Sequence, residues 1–118
     1  MATTRRILCV HGHSDTCDLI SVILNNFEVV SANSKAEALH KATDNLFDLY
    51  LLDYYLPDGT GLELCLLIRG FDESTPILFI TGGLDITPSQ IETVKAQGLV
   101  SKGDLPDALV SAVTKIFQ

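Results

Sequence analysis

Four groups of polar residues follow short apolar runs, and their side chains could carry chemistry: His11-Gly12-His13, Asp53, Thr81-Gly82 and Ser101-Lys102. The carboxylate of Asp53 could act as a nucleophile toward phosphorus. The hydroxyl of Thr81 could hydrogen-bond an anion, and the ammonium of Lys102 could neutralise Asp53 or a bound phosphoryl group. Each residue also has a plain structural interpretation, as a turn or cap residue or as a surface lysine. The choice depends on whether the fold brings the groups together.

Five short apolar runs have the composition of buried strands: Ile7–Val10, Glu28–Ala32, Asp48–Leu52, Ile77–Ile80 and Leu99–Ser101. Four of them show almost no polar alternation, which is typical of strands in a parallel sheet that is covered on both faces. The second run, Glu28–Ala32, is more mixed and suits an edge strand.

Helix signals lie between these runs and after the last one. Ser14 can cap one helix, and capping boxes at Ser34–Glu37 and Thr87–Gln90 can open two others. Residues Leu62–Arg69 predict a short helix that Gly70 stops, and apolar residues at three- and four-residue spacing after Asp104 predict the last helix. The alternation predicts a (βα)5 α/β fold with right-handed crossovers and helices on both faces of the sheet. Because working sites in such sheets lie at the carboxyl ends of the strands, the four polar groups are expected to converge.

Composition excludes several classes of protein. The chain has 118 residues, so we expect a single domain over residues 1–118, and 47% apolar residues exclude wholesale disorder. Eight Lys and Arg against fifteen Asp and Glu give a net charge of −7, which disfavours direct nucleic-acid binding. No apolar run approaches the roughly 20 residues of a membrane span. The three cysteines, Cys9, Cys17 and Cys65, fit no metal-ligand spacing and indicate buried thiols in a cytoplasmic protein.

Two segments and one lysine resemble the receiver domains of response regulators. Within residues 48–64, the spacing Asp-x-x-Leu-Pro-x-x-x-Gly runs from Asp53 to Gly61 and is similar to the phospho-acceptor segment of that family. Residues 75–82 resemble its fourth strand with the switch Thr at Thr81, and Lys102 matches its strand-five lysine. The resemblance covers essentially the whole chain.

This resemblance implies a doubly wound, flavodoxin-like sheet with strand order 2-1-3-4-5. It also implies that Asp53 accepts a phosphoryl group from a histidine kinase or phosphotransfer protein. Asp53 and the backbone carbonyl of Tyr55 would be the ligands of Mg²⁺. Such a domain is a signalling module of two-component or phosphorelay pathways, not an enzyme, and acts on a downstream protein partner.

The metal site departs from the family pattern. Receiver domains place two acidic residues after the first strand, where they hold Mg²⁺, and here those positions are His11 and Gly12. Mg²⁺ prefers oxygen ligands, and neither residue supplies a carboxylate. We therefore expect weak Mg²⁺ binding and phosphorylation of Asp53 that is slow, weak or absent.

His11 admits three interpretations. A His-x-His pair with Asp53 as a third ligand would suit a transition metal, but Gly12 is expected to break the strand between the two imidazoles. A partly protonated His11 could replace the charge of the missing metal beside Asp53. Alternatively, His11 faces solvent.

The region before Lys102 departs as well. The stretch Gln97–Lys102 contains no aromatic residue, and Gly103 stands where receiver domains typically have a cis proline. The relay from Thr81 to the face formed by the fourth helix, the fifth strand and the last helix is therefore in doubt. A homodimer through that face is left open by the sequence.

Three functions remain at this point. The first is a receiver domain that is phosphorylated at Asp53, with weakened phosphorylation. The second is a pseudo-receiver that docks partners without phosphorylation. A remote third is a small flavodoxin-like binder of a nucleotide or FMN, for which residues 11–16 form only a faint phosphate loop.

Overall fold

The computed structural model describes residues 4–82 and 86–118, so residues 1–3 and 83–85 of the expected domain lie outside it. The strands are β1 (Arg6–Val10), β2 (Glu28–Ala32), β3 (Leu49–Asp53), β4 (Tyr55–Leu56), β5 (Gly59–Thr60), β6 (Ile77–Thr81) and β7 (Gly98–Ser101). The helices are α1 (Ser14–Ile23), α2 (Lys35–Asp44), α3 (Gly61–Arg69), α4 (Pro88–Thr93) and α5 (Asp107–Ile116). Among the described residues, no helix has the length and apolar character needed to cross a membrane.

Five of the strands form one parallel sheet in the order β2-β1-β3-β6-β7, while β4 and β5 pair separately as a short antiparallel hairpin. Counted over the five sheet strands alone, this is the predicted order 2-1-3-4-5. The predicted fold class is therefore confirmed, and β2 lies at an edge as its mixed composition indicated. The hairpin lies between β3 and α3, directly after Asp53.

The core has two layers because side chains alternate across the buried strands. Leu8 and Val10 of β1 pack toward α2, α3 and α4, whereas Ile7 and Cys9 pack toward α1 and α5. The same alternation runs along β3, in which all five residues are buried. Near-continuous apolar strands are thus explained by a sheet with helices on both faces.

Helix caps agree with the sequence at two helices. Ser34 caps α2 by accepting from the N–H of Glu37, although the Glu37 carboxylate accepts from Asn33 rather than from Ser34. Thr87 and Gln90 form the full reciprocal box at the start of α4.

Two predicted helix starts are wrong. The first residue of α1 is Ser14 itself, and the cap position is occupied by His13, whose extended backbone carries no side-chain cap bond. Asp104 does not precede the last helix directly, because residues 102–104 form a 3-10 turn and α5 begins only at Asp107. The first helix thus begins one residue earlier than predicted, whereas the 3-10 turn delays the start of the last helix.

Gly61 joins the hairpin to the end of β3. Its N–H donates to the carbonyl of Tyr54 at 2.7 Å. A Cβ at Gly61 would lie 2.2 Å from the backbone oxygen of Asp53, a distance that no side chain can adopt. The glycine of the phospho-acceptor motif is therefore required by backbone contact with the residue that carries the carboxylate.

All three cysteines are buried free thiols, as predicted. Cys17 of α1 donates to the carbonyl of Cys9 in β1 at 3.6 Å, and Cys65 of α3 donates to the carbonyl of Val94 at 3.4 Å. The thiols of Cys17 and Cys65 thus connect a helix to a neighbouring segment within the core.

Candidate functional site

Three side chains from different elements meet at the carboxyl edge of the sheet. His11 directly follows β1, Asp53 is the last residue of β3, and Lys102 begins the turn after β7. The Oδ2 of Asp53 lies 3.3 Å from the Nε2 of His11, and its Oδ1 lies 3.4 Å from the Nζ of Lys102. Lys102 and His11 also contact each other, with 2.5 Å between Nζ and Nε2. The three groups form one closed cluster, which we call the Asp53 cluster.

The strand register explains why these residues meet. Val10 pairs with Leu52 across β1 and β3, so His11 and Asp53, one position further along each strand, lie side by side. Asp53 pairs with Ile80, and Thr81 pairs with Ser101. The topology therefore places the ends of four strands along one edge.

Hydrogen bonds fix the position of His11. Its Nδ1 accepts from the backbone N–H of His13 at 3.0 Å, and its carbonyl accepts from the side-chain amide of Asn33 at 2.9 Å. A neutral imidazole carries one N–H, so acceptance at Nδ1 leaves the proton on Nε2, which faces Asp53 and Lys102. Both this nitrogen and the Nζ of Lys102 lie within ion-pair distance of the Asp53 carboxylate.

The surroundings of His11 affect its charge. Burial lowers the pKa of its imidazole below the ordinary value, and Lys102 lowers it further, while Asp53 offsets only part of this. The lowered pKa favours the neutral imidazole near pH 7 and does not support the interpretation in which a partly protonated His11 replaces the charge of the metal. The solvent-facing alternative is wrong, because His11 is only 3% exposed. The positive charge beside Asp53 comes from Lys102.

Thr81 and Gly82 lie beside this cluster. Thr81 is buried at the end of β6, next to the end of β3 in the sheet. A Cβ placed at Gly82 would lie 3.7 Å from the Cδ of Lys102, so the lysine stem passes directly over Gly82. Thr81 is thus at the edge where an anion on Asp53 would lie.

A shallow cavity of about 390 Å³ opens beside Asp53. Its lining is formed by Gly12, His13, Asp53, Tyr55, Leu56 and Pro57. A Cβ at Gly12 would lie 3.5 Å from the Cδ of Pro57 and 3.8 Å from the carbonyl oxygen of Tyr55, which are ordinary contacts. The cavity therefore has room for a side chain at position 12 that this sequence lacks.

The donor set beside Asp53 does not fit Mg²⁺. The ion requires several oxygen ligands in near-octahedral geometry. Here both oxygens of Asp53 face nitrogen groups, His11 offers no oxygen, and Gly12 offers no side chain. The backbone carbonyl of Tyr55 is the remaining predicted ligand. Among residues 4–82 and 86–118 there is no group of three or more His, Cys, Asp or Glu side chains that could hold a metal.

The structure adds residues that the sequence did not indicate. Asp58, in the turn between β4 and β5, accepts from the N–H groups of Lys35 and Ala36 at 2.7 and 3.0 Å. These bonds lower the pKa of the Asp58 carboxyl and tie the loop after Asp53 to the start of α2. A turn-favouring Asp beside a helix start is too common a pattern to have revealed this contact.

The strand β7, which directly precedes Lys102, contains no aromatic residue, as the sequence indicates. In the segment after β7, a cis peptide bond joins Leu105 and Pro106, so this proline lies three residues beyond the Gly103 position considered above. The last helix therefore starts after a different connection from the one that the family pattern suggests.

Comparison with known proteins agrees with this geometry. A sequence model of the response regulator receiver domain matches residues 7–114. The chain belongs to the receiver domain family of response regulators. This membership favours the receiver interpretation over a nucleotide or FMN binder.

Solved receiver domains have the same architecture. Chemotaxis protein CheY4 of Vibrio cholerae superimposes with a TM-score of 0.88 at 26% identity, over 97% of this chain and 99% of that one. Response regulator TrrA of Thermotoga maritima, solved in complex with Mg²⁺ and BeF, gives a TM-score of 0.87 at 28% identity, over 96% and 99% of the two chains.

Curated relatives are longer than this chain. Response regulator ArlR of Staphylococcus saprophyticus is 37% identical over 68% of this chain, and the transcriptional regulatory protein YrkP of Bacillus subtilis is 36% identical over 84%. The matched regions are 37% and 40% of those proteins. This chain therefore corresponds to less than half the length of these relatives.

Family membership defines the general activity. Receiver domains are signalling modules of two-component systems that interact with histidine kinases or phosphotransfer proteins, and phosphorylation of an aspartate is typical of them. They typically bind Mg²⁺ at the phosphorylation site. The side chains around Asp53 depart from this last property.

Proposed function

We propose that Asp53 is the phospho-acceptor of this receiver domain and that it accepts a phosphoryl group slowly. The observation that carries the proposal is the Asp53 cluster, in which both carboxylate oxygens are already engaged by Lys102 and His11. Asp53 has the position at the carboxyl end of the central strand that suits an acceptor. The reaction is slow because both oxygens of the Asp53 carboxylate already contact other side chains.

Phosphoryl transfer forms one bond at Asp53 and breaks one bond in the donor. A carboxylate oxygen attacks the phosphorus of a phosphohistidine in a kinase or phosphotransfer protein. The bond from phosphorus to the donor imidazole breaks, its electron pair stays on that imidazole, and the product is an acyl phosphate. The cavity lined by Gly12, His13 and Tyr55 is the approach for the donor.

Charge accounts for the reduced rate. Transfer replaces the single negative charge of Asp53 by a phosphoryl group with close to two charges. Lys102 compensates one of them, and neutral His11 adds none. The carboxylate must also leave its contact with His11 before the oxygen can attack. Thr81, buried at the end of β6, is proposed to hydrogen-bond the bound group.

A pseudo-receiver that docks a downstream protein without phosphorylation is the second candidate. The closed Asp53 cluster favours it, since the three side chains already satisfy one another without a phosphoryl group. In this case the output would come from protein contacts that are independent of Asp53.

The two candidates are separated by incubation with acetyl phosphate, followed by intact-mass spectrometry. We expect a gain of one phosphoryl group over a long incubation, which is lost in Asp53→Asn. Asp58→Asn is the matched control, because this exposed carboxylate lies outside the Asp53 cluster and the variant should be labelled as the wild type. Absence of labelling in the wild type would favour the pseudo-receiver, and rapid labelling that requires Mg²⁺ would contradict slow acceptance.

A further inference from the structure

A single carboxylate lies at the centre of this site. The Asp53 carboxylate faces the ammonium of Lys102 at 3.4 Å and the imidazole of His11 at 3.3 Å. The other side chains that line the cavity, those of His13, Tyr55, Leu56 and Pro57, supply no second carboxylate. A site with a single carboxylate and a lysine has little electrostatic demand for a divalent cation.

Several contacts hold Lys102 in this position. Its Nζ lies between Asp53 and His11, and its stem passes over Gly82. Asp53 is 6% exposed, while the Lys102 side chain is 32% exposed, so water screens the pair from the lysine side only. His11 is itself fixed by the N–H of His13 and the side chain of Asn33. The position of the ammonium is thus set by groups that are fixed before any ligand binds.

We propose that Lys102, which lies between Asp53 and His11, is a built-in cation that takes the place of a divalent metal ion at this site. His11 is a positioning residue in this arrangement, because it contacts the other oxygen of the Asp53 carboxylate. The inference rests on the proposed function in that Asp53 is the acceptor. It adds that an anionic phosphoryl group binds there without a divalent ion.

Position 12 allows a test in which carboxylate ligands for a metal ion are added to the site. An added Cβ at this position would make ordinary contacts with Pro57 and with the carbonyl of Tyr55, so a larger residue fits. A carboxylate there would lie close to Asp53 and the Tyr55 carbonyl. Replacing His11 by Asp in the same chain would add a third carboxylate and remove the imidazole that contacts Lys102.

The first experiment is a Mg²⁺ titration followed by amide NMR. In the wild type we expect no saturable shifts at residues 11–13 or 53–57. The double variant His11→Asp, Gly12→Asp is expected to bind Mg²⁺ with saturable shifts at these residues. The control His11→Asn, Gly12→Asn has side chains of the same size without the charges and should not bind. Saturable binding by the wild type, or no binding by a folded double variant, would overturn the inference.

The second experiment uses beryllofluoride, which represents the phosphoryl group on Asp53, in buffer freed of divalent metal by a chelating resin and again with Mg²⁺. We expect the same affinity in both buffers, and at least about tenfold weaker binding in Lys102→Met, since a charge-assisted contact is lost. Binding that requires Mg²⁺ overturns the inference and leaves the proposed function intact. Absence of binding in both buffers contradicts the proposed function, and the Mg²⁺ titration alone then decides the inference.

Discussion

At the scale of single residues, His11 has the widest influence on the site because one imidazole contacts three groups. Its Nδ1 accepts from the His13 N–H, and its Nε2 faces both Asp53 and Lys102. Burial keeps this imidazole neutral near pH 7 by lowering its pKa. Protonation would place a second positive charge beside Lys102 in a buried site, which is unfavourable.

His11 is expected to make folding stability depend on pH. In the unfolded chain its imidazole takes up a proton with a pKa near 6.5, while the folded state takes it up only at lower pH. As the pH falls below that value, the unfolded state binds more protons, so the free energy of unfolding decreases. Urea unfolding of the wild type between about pH 8 and pH 5 should show this decrease, with a smaller one in His11→Gln.

The control for this prediction is His40→Gln, because His40 is exposed on α2 far from the Asp53 cluster. This variant should keep the pH dependence of the wild type. If the free energy of unfolding changed equally with pH in the wild type and in His11→Gln, His11 would titrate alike in the folded and unfolded states.

Gly61 is expected to tolerate no side chain. A Cβ there would lie 2.2 Å from the Asp53 carbonyl oxygen, so Gly61→Ala must move the backbone that carries the acceptor. We expect a loss of roughly 1–3 kcal/mol in the free energy of unfolding, measured by urea denaturation. Gly82→Ala is the matched control, since its Cβ would meet Lys102 only at 3.7 Å, and it should change stability by less than about 1 kcal/mol.

At the scale of elements, local sequence patterns predicted the strands, but they did not predict where two of the helices begin. All five sheet strands and the order of the sheet agree with the prediction. The starts of α1 and α5 do not, because α1 begins one residue earlier than predicted and a 3-10 turn precedes α5.

The same distinction applies to the site. Topology alone predicted that His11, Asp53 and Lys102 converge, because each follows a strand of one parallel sheet. The direct contact between His11 and Lys102 joins residues 91 positions apart and depends on the reach of a lysine side chain. No local pattern encodes such a contact, and the neutral state of His11 follows from burial that only the fold reveals.

The cap of α3 connects the site loop to the core, and its loss should be measurable. The Thr60 hydroxyl accepts from the N–H of Glu63 at 3.2 Å, and the Glu63 carboxylate accepts from the N–H of Thr60 at 2.9 Å. We expect Thr60→Ala to lower the free energy of unfolding by about 1 kcal/mol and Thr60→Ser to retain most of it. Denaturant unfolding of both variants measures the difference, and equal losses would mean that the hydroxyl bond does not contribute.

At the scale of the whole molecule, packing is uneven across the sheet. The central strands β1, β3 and β6 have almost entirely buried side chains, whereas α4 has six residues and none of them is buried. Beyond α4, the Arg69 guanidinium holds the carbonyl of Lys95 with bonds of 3.2 and 2.9 Å. The end of the sheet that carries Lys102 is therefore attached by fewer buried contacts than the centre.

Amide hydrogen exchange should follow this gradient. We expect the amides of α4 to exchange by local opening, well before those of β1 and β3, which should exchange only by global unfolding. Mass spectrometry of peptides or NMR of individual amides measures the order. Protection of α4 equal to that of β3 would show that the domain opens as a single unit.

The buried cysteines give the molecule internal reporters of its own opening. A thiol reacts with alkylating reagents as the thiolate. Burial raises the pKa of Cys65 to about 11, and the hydrogen bond with Cys17 together with burial raises the pKa of Cys9 well above its usual value. Modification of Cys65 therefore requires α3 to separate from the segment around Val94, and modification of Cys9 requires α1 to lift from β1. The two alkylation rates would therefore measure how fast each of the two opposite faces of the sheet opens, with no label added to the chain.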